Sequence, residues 1–411
     1  MSSSTLPFAN EQKTHQEDSS TARFLANRVT WLQRIVAASF ALELLLSWRL
    51  WTGPRTFPKL PLLDILPTLP FVANVMVFAL MLVLLAGITV LPRPRVWTYT
   101  FLMIVALLAV DDQMFWHPFF YQYYFMLAAL CFFAWSGKLE NKQHGQQLAF
   151  VTCRWIVASI YVYAGLQKMN SRFLSDVFPW FIEPITHAVP SLQSWLLLGG
   201  FLVPFLEMSI GLGLLLGGYR RYAVAVACLM HLFILWMLGP LGHTWGSVVW
   251  PWNLSMMLLV YVLGWNIPNI NPKPLHFRQY MVHKGILALF VVMPAFSFFN
   301  LWDSKLSSTM YSGNGNSAEF FISETLQKKL PSDVQKYTKP SDGELLLDYF
   351  NWSYQELNVI APSETKNFKA IARYLCAYSS HPSDVTVVIQ GKPTLFRADK
   401  PTTYTCAELN Q

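Results

Sequence analysis

Lys168 closes an apolar run in the stretch Tyr161-Val162-Tyr163-Ala164-Gly165-Leu166-Gln167-Lys168-Met169-Asn170. An ammonium at the end of a membrane-length run is costly to bury, so it snorkels to water, pairs with an acid or works. An apolar pocket disfavours the charged form, and the amine then serves as a general base near neutral pH. Asp111, Asp112, Gln113, His117, His243 and Asn253 fall near the matching ends of neighbouring runs. The adjacent acids suit pairing with Lys168, orienting a histidine or holding a cation. Successive helical residues point about 100° apart, so both need not face one site. Phe119-Phe120-Tyr121-Gln122-Tyr123-Tyr124 is either an interfacial aromatic belt or the wall of a flat-ring pocket. His231 lies inside a run, as a hydrogen-bonded core histidine or a proton relay. His243 in Gly242-His243-Thr244-Trp245 and the group Trp250-Pro251-Trp252-Asn253 occupy one connection and the helix start after it. Glu43 and Glu207 lie deepest in the runs, where a lone carboxylate is expensive unless neutral or paired. Glu207 shares the region of His231 and His243 and is the better site candidate.

These residues sort into catalytic candidates (Lys168, Asp112, His231, His243, Glu207) and cofactor-binding candidates (Gln113, His117, Tyr121, Trp250, Trp252, Asn253). The sequence has no phosphate-binding glycine loop, paired-cysteine zinc spacing, nucleophile elbow or H-E-x-x-H, so no metal is expected.

The elements that must position them are apolar. The chain is 54% hydrophobic and 13% charged, against about a quarter charged in a soluble domain. Nine runs approach the roughly 20 residues that span a bilayer: about 31–51, 71–91, 96–111, 117–136, 148–167, 195–217, 222–239, 248–265 and 284–301. The third and fourth, short and starting at a proline, are candidates for an interrupted or re-entrant element. With the N-terminus inside, thirteen basic residues, among them Arg93, Arg95, Arg220 and Arg221, fall in inner segments, and four, Arg55, Lys59, Lys168 and Arg172, in outer loops. The positive-inside rule favours this orientation and accounts for the net charge of +7 better than nucleic acid does.

Residues 1–28 lack an apolar signal core and read as a disordered cytoplasmic tail. The fold class expected is an all-α polytopic membrane bundle over residues 29–301 with a small extracytoplasmic α+β domain over 302–411. In that outer segment, Phe320, Phe321, Leu326 and Leu330 have helical spacing over Ser317–Leu330. A second helix opens at Ser363-Glu364 and buries Phe368, Ile371, Ala372 and Leu375. Val385–Ile389 and Thr394–Arg397 flank Gly391-Lys392-Pro393 as a hairpin with an irregular turn. Cys376 and Cys406, alone in this segment, pair in an oxidising compartment or remain free thiols.

Tyr163-Ala164-Gly165-Leu166-Gln167-Lys168-Met169-Asn170, followed by Phe173, resembles the segment of vitamin K-dependent γ-glutamyl carboxylases that carries their catalytic lysine. More weakly, residues 30–300 are similar to the wider family of membrane proteins with an HTTM (horizontally transferred transmembrane) domain, with DoxX-like proteins as looser relatives. The resemblance implies a multi-helix membrane domain, an outward-facing site, a reduced, vitamin K-like quinone as cofactor and a lyase-type carboxylation. Only Lys168 matches residue by residue, as the base that deprotonates the quinol. Gln167 stands where those carboxylases carry another lysine, and the outer segment is far shorter than theirs.

The leading expectation is a quinol-using enzyme of a bacterial inner membrane, with the bilayer and an exported protein or peptide as partners. The alternative is a non-catalytic scaffold or assembly factor whose outer domain docks that partner. A small-molecule carrier ranks third, because the chain shows no internal duplication.

Overall fold

Pro7 stands in the first turn of helix α1 (Leu6–Leu46), and no glycine or proline follows until Gly53. Nothing in that interval stops the helix, so the tail expected at 1–28 is helical from Leu6 onward. The computed structural model describes residues 6–63, 69–135, 142–267, 277–341, 344–392 and 400–409. The bundle continues with α2 (Phe71–Val90), α3 (Arg95–Asp111), α4 (Pro118–Ala129), α5 (Lys142–Gln167), α6 (Phe178–Ala188), α7 (Val203–Leu215), α8 (Arg220–Leu238), α9 (Val249–Gly264) and α10 (Phe277–Leu287). Wider and tighter turns extend α4 to Ala134 and α10 to Phe299.

Among the described residues, five helices are long and apolar enough to cross a membrane: Ser20–Leu46, Phe71–Val90, Gln143–Gln167, Gly217–Leu238 and Met281–Phe299. A sixth follows if Pro190–Gly199 and Val203–Leu215, bent by 48°, count as one span. The other three expected spans are helical but short, with 17 residues in α3 and 16 in α9. At about 1.5 Å per residue they fall short of a roughly 30 Å hydrocarbon core. α2 is apolar all round yet leaves Val72, Met76 and Val90 exposed, the pattern of a helix that meets lipid.

The C-terminal region forms one antiparallel sheet, in the order β2 (Thr338–Ser341), β3 (Glu344–Leu347), β1 (Ser317–Ile322), β4 (Val385–Gln390), β5 (Thr402–Thr405). The helix expected at Ser317–Leu330 is therefore a strand followed by one helical turn, Glu324–Gln327. Ala318, Phe320 and Ile322 alternate into the core, with Phe320 opposite Leu347 and Val387, so period two wins over the helical spacing. Of the expected hairpin, Val385–Ile389 is a strand, paired with β1 and β5, while 394–397 lie outside the described residues. Helix α11 (Tyr349–Leu357) precedes α12 (Thr365–Cys376), which buries Phe368, Ile371, Ala372 and Leu375 as its spacing requires. A Cys376–Cys406 disulfide ties the end of α12 to the residue after β5.

The sheet region sits against one end of the bundle. Glu356 accepts hydrogen bonds from the Thr56 and Phe57 amides at 2.5 and 2.8 Å. Phe57 packs on Trp352 with ring centroids 4.8 Å apart. Asn358 donates to the Leu46 carbonyl at 3.0 Å, and Tyr354 stacks on Trp245 at 3.8 Å. The buried apolar core runs unbroken from the bundle into the sheet.

Candidate functional site

Two glycines decide how closely α5 and α7 approach. A Cβ on Gly165 would come within 2.3 Å of the Pro204 carbonyl oxygen, and one on Gly211 within 2.5 Å of that of Ala158. This small-residue packing brings two helices together and sets Lys168 opposite Glu207. Lys168 Nζ donates to the Glu207 carboxylate at 2.9 and 3.1 Å, and both side chains are buried. The lysine is buried rather than snorkelling, and its charge is met by an acid on the neighbouring helix.

One layer further in, His231 is held on both sides. Its Nδ1 lies 2.7 Å from Asn253 Oδ1 and its Nε2 2.5 Å from the Tyr161 hydroxyl. The Asn253 amide nitrogen is committed to the Val249 carbonyl at 2.8 Å, so Oδ1 faces the ring as an acceptor. Nδ1 then carries the proton, and Nε2 accepts from Tyr161. His231 is thus a neutral, fully partnered histidine joining α5, α8 and α9.

Asp111 and Asp112 turn elsewhere. Asp112 is buried against Arg55 at 2.5 Å and accepts from the Leu60 and Met114 amides at 3.1 and 3.0 Å. Gln113 Nε2 donates to the Leu60 and Pro61 carbonyls, and Asp111 pairs with Lys59 at 2.7 Å. This cluster pins the loop after α1 onto the end of α3 and does not touch Lys168. Trp250 donates to the Trp245 carbonyl and Trp252 to Gln122 Oε1. His243 donates from Nε2 to the Trp180 carbonyl at 2.7 Å and stacks on that indole at 4.4 Å. Tyr121 reaches Ser308 at 3.4 Å.

A cavity of about 690 Å³ opens between the bundle end and the sheet region, within the usual range for a small-molecule site. Aromatic groups, Trp180, Tyr311 and Tyr354 among them, form much of its wall, with Arg172, Lys305 and His117 as basic groups. Among the catalytic and cofactor-binding candidates only His117 lines it, with Phe119 of the aromatic stretch beside it. The ring of His117 hydrogen-bonds the Met114 carbonyl, and its buried Nε2 has no partner. Lys305 donates to the Ile360 carbonyl. Lys305 lines the cavity, and burial lowers its pKa to about 7, against the opposing pull of Asp303 and Asp112.

The residues that follow Lys168 hold the cavity loop. Asn170 donates to the Ser312 carbonyl at 2.8 Å, Arg172 to that of Gly315 at 3.2 Å, and Asn314 to Gln167 Oε1 at 2.6 Å. Gly313 has φ +70°, and a Cβ there would lie 3.0 Å from that of Arg172, so glycine suits both the turn and the close approach. Sequence reasoning missed Lys305. In Trp302-Asp303-Ser304-Lys305-Leu306 it follows the last apolar run inside a polar stretch, where nothing marks it for burial. Among the described residues no group of three or more His, Cys, Asp or Glu is placed to hold a metal ion. Comparison of the chain with protein-family models, curated proteins and solved structures finds no match.

Proposed function

We propose that this is an integral membrane enzyme of a bacterial inner membrane that takes a proton from a lipid-soluble ring of the quinol class. Its N-terminus is cytoplasmic, the nine apolar helices are embedded, and the sheet region with its cavity is extracytoplasmic. The observation that carries this reading is Lys305: an amine with a pKa of about 7 on the wall of an aromatic cavity. A general base works best with a pKa near the operating pH.

The cavity residues suit a reduced quinone. Trp180, Tyr311 and Tyr354 line the cavity and supply aromatic surface for a ring. His117 Nε2 is a buried acceptor lacking a donor, which a ring hydroxyl would satisfy. When bound, such a cofactor supplies an acidic hydroxyl and reducing electrons. Lys305 receives the hydroxyl proton at Nζ, and the Ile360 carbonyl steadies the ammonium formed. The Lys168–Glu207 pair fixes α5 on α7, so that Gln167, Asn170 and Arg172 present the cavity loop.

The test is quinol-dependent oxygen uptake by the purified protein in detergent. Lys305→Met abolishes uptake, whereas the double variant Lys168→Met/Glu207→Met, which leaves no unpaired charge, retains it. Loss in the double variant with retention in Lys305→Met would return the base to Lys168. Absence of uptake from folded wild-type protein with every quinol tried favours the scaffold reading, with the sheet region docking an exported protein or peptide.

A further inference from the structure

At the bundle end farthest from the sheet, Arg28, Arg154, Arg220 and Arg221 gather, and among the described residues none has a carboxylate partner. The place follows from helix direction: α1 and α8 run from this end toward the sheet, and α9 returns. Arg28 donates to the carbonyls of Tyr261, Val262 and Trp265 at the end of α9, at 3.1 to 3.2 Å. Arg220 donates from Nε to the Leu214 carbonyl at 3.1 Å. Arg154 donates from Nε to the Leu263 carbonyl at 3.1 Å, but its Nη2 is buried without a partner. Its side chain is 6% exposed, and it lies close enough to Arg220 for the like charges to repel. Backbone carbonyls offset only part of that charge, and an uncompensated buried cation is strongly destabilising.

Beside these groups is a cavity of about 620 Å³, lined by Thr21, Gly217, Arg220, Arg221, Gly264 and Asn266. A Cβ on Gly217 would meet nothing within 4 Å, so the glycine leaves open room beside the two arginines. Guanidinium groups match the oxygens of a phosphate with paired, charge-assisted hydrogen bonds. We infer that this cavity binds a phosphate group, with Arg221 and Arg220 as its first contacts and Arg154 as the buried charge behind them. The site stands at the ends of long apolar helices, the depth at which basic pockets between spans meet anionic headgroups. An anionic phospholipid and free phosphate share this chemistry. The inference is independent of the catalytic reading.

Native mass spectrometry of the intact protein, titrated with phosphatidylglycerol and with phosphatidylcholine, tests it, and inorganic phosphate as competitor separates the sources. The anionic lipid is expected to bind about tenfold tighter than the zwitterionic one. Arg221→Gln should weaken it about fivefold. Gly217→Glu, which places a carboxylate in the cavity, should abolish the preference. Competition by phosphate at millimolar concentration supports a site that recognises the free anion, and its failure beside bound phosphatidylglycerol supports the lipid. Equal affinity for both lipids with no phosphate binding, or a preference untouched by both variants, would overturn the inference.

Discussion

Lys168 and Lys305 stand near the same end of the molecule, joined through the loop that Asn170 and Arg172 hold, yet the fold treats them in opposite ways. Lys168 meets a carboxylate at 2.9 Å inside a close-packed pair of helices. Lys305 meets one carbonyl and the side of a cavity, with Asp303 and Asp112 acting only as more distant charges. An ammonium paired with a buried acid fixes two helices, whereas one that burial discharges near neutral pH is free to accept a proton. A lysine's place in an apolar run announces burial, but its partner decides its chemistry.

The sharpest way to break the contrast is to unpair Lys168. Lys168→Met and Glu207→Met should each cost about 3–5 kcal/mol, because each leaves a buried charge without its partner. The double variant should recover most of that loss, giving strong coupling in a double-mutant cycle followed by thermal unfolding in detergent. Independent, additive losses would show that the two side chains do not act as a pair.

Gly211→Ala should have the next largest effect. Its Cβ lands 2.5 Å from the Ala158 carbonyl oxygen, which is backbone and cannot swing away. Overpacking of this kind costs about 1–3 kcal/mol. Gly217→Ala, where a Cβ meets open space, is the matched control. Equal melting temperatures for the two variants would rule out close approach as the cause of pairing.

The sequence exposed one side of this comparison more fully than the other. The apolar runs announced every bundle helix except α6 (Phe178–Ala188). The partners were harder to read, because they lie far along the chain. Glu207 is 39 positions from Lys168, and Arg55, 57 from Asp112, had entered only as an outer-loop charge. Strand β1 was hidden for a related reason. Phe320 and Phe321 lie on opposite faces of the sheet, yet with Leu326 they mimic a helical stripe, and only the pairing of Phe320 with Leu347 and Val387 settles the period. α12 buried what its spacing required because its apolar face is local information. Lys305 carried no local signal, since its environment is assembled from Ile360, Asp303 and the cavity wall.

The remaining effect is the most specific to Lys305. Its amine has a pKa near 10.5 in the unfolded chain and about 7 in the folded one. Below pH 7 both states hold the proton, and the folded state carries the full penalty of a buried charge. Between pH 7 and pH 10.5 the unfolded chain keeps a proton that the folded chain has released. Stability rises with pH wherever the unfolded state binds more protons, so this lysine's destabilising contribution fades across that window. Lys305→Met removes the titration while leaving Asp303, Asp112 and His117 in place. The melting temperature of wild type relative to that variant should therefore climb as pH rises from 7, in parallel for protein in detergent and in lipid nanodiscs. A difference that stays flat with pH would mean that Lys305 does not release its proton across that window, and the contrast between the two lysines would fail at its stronger end.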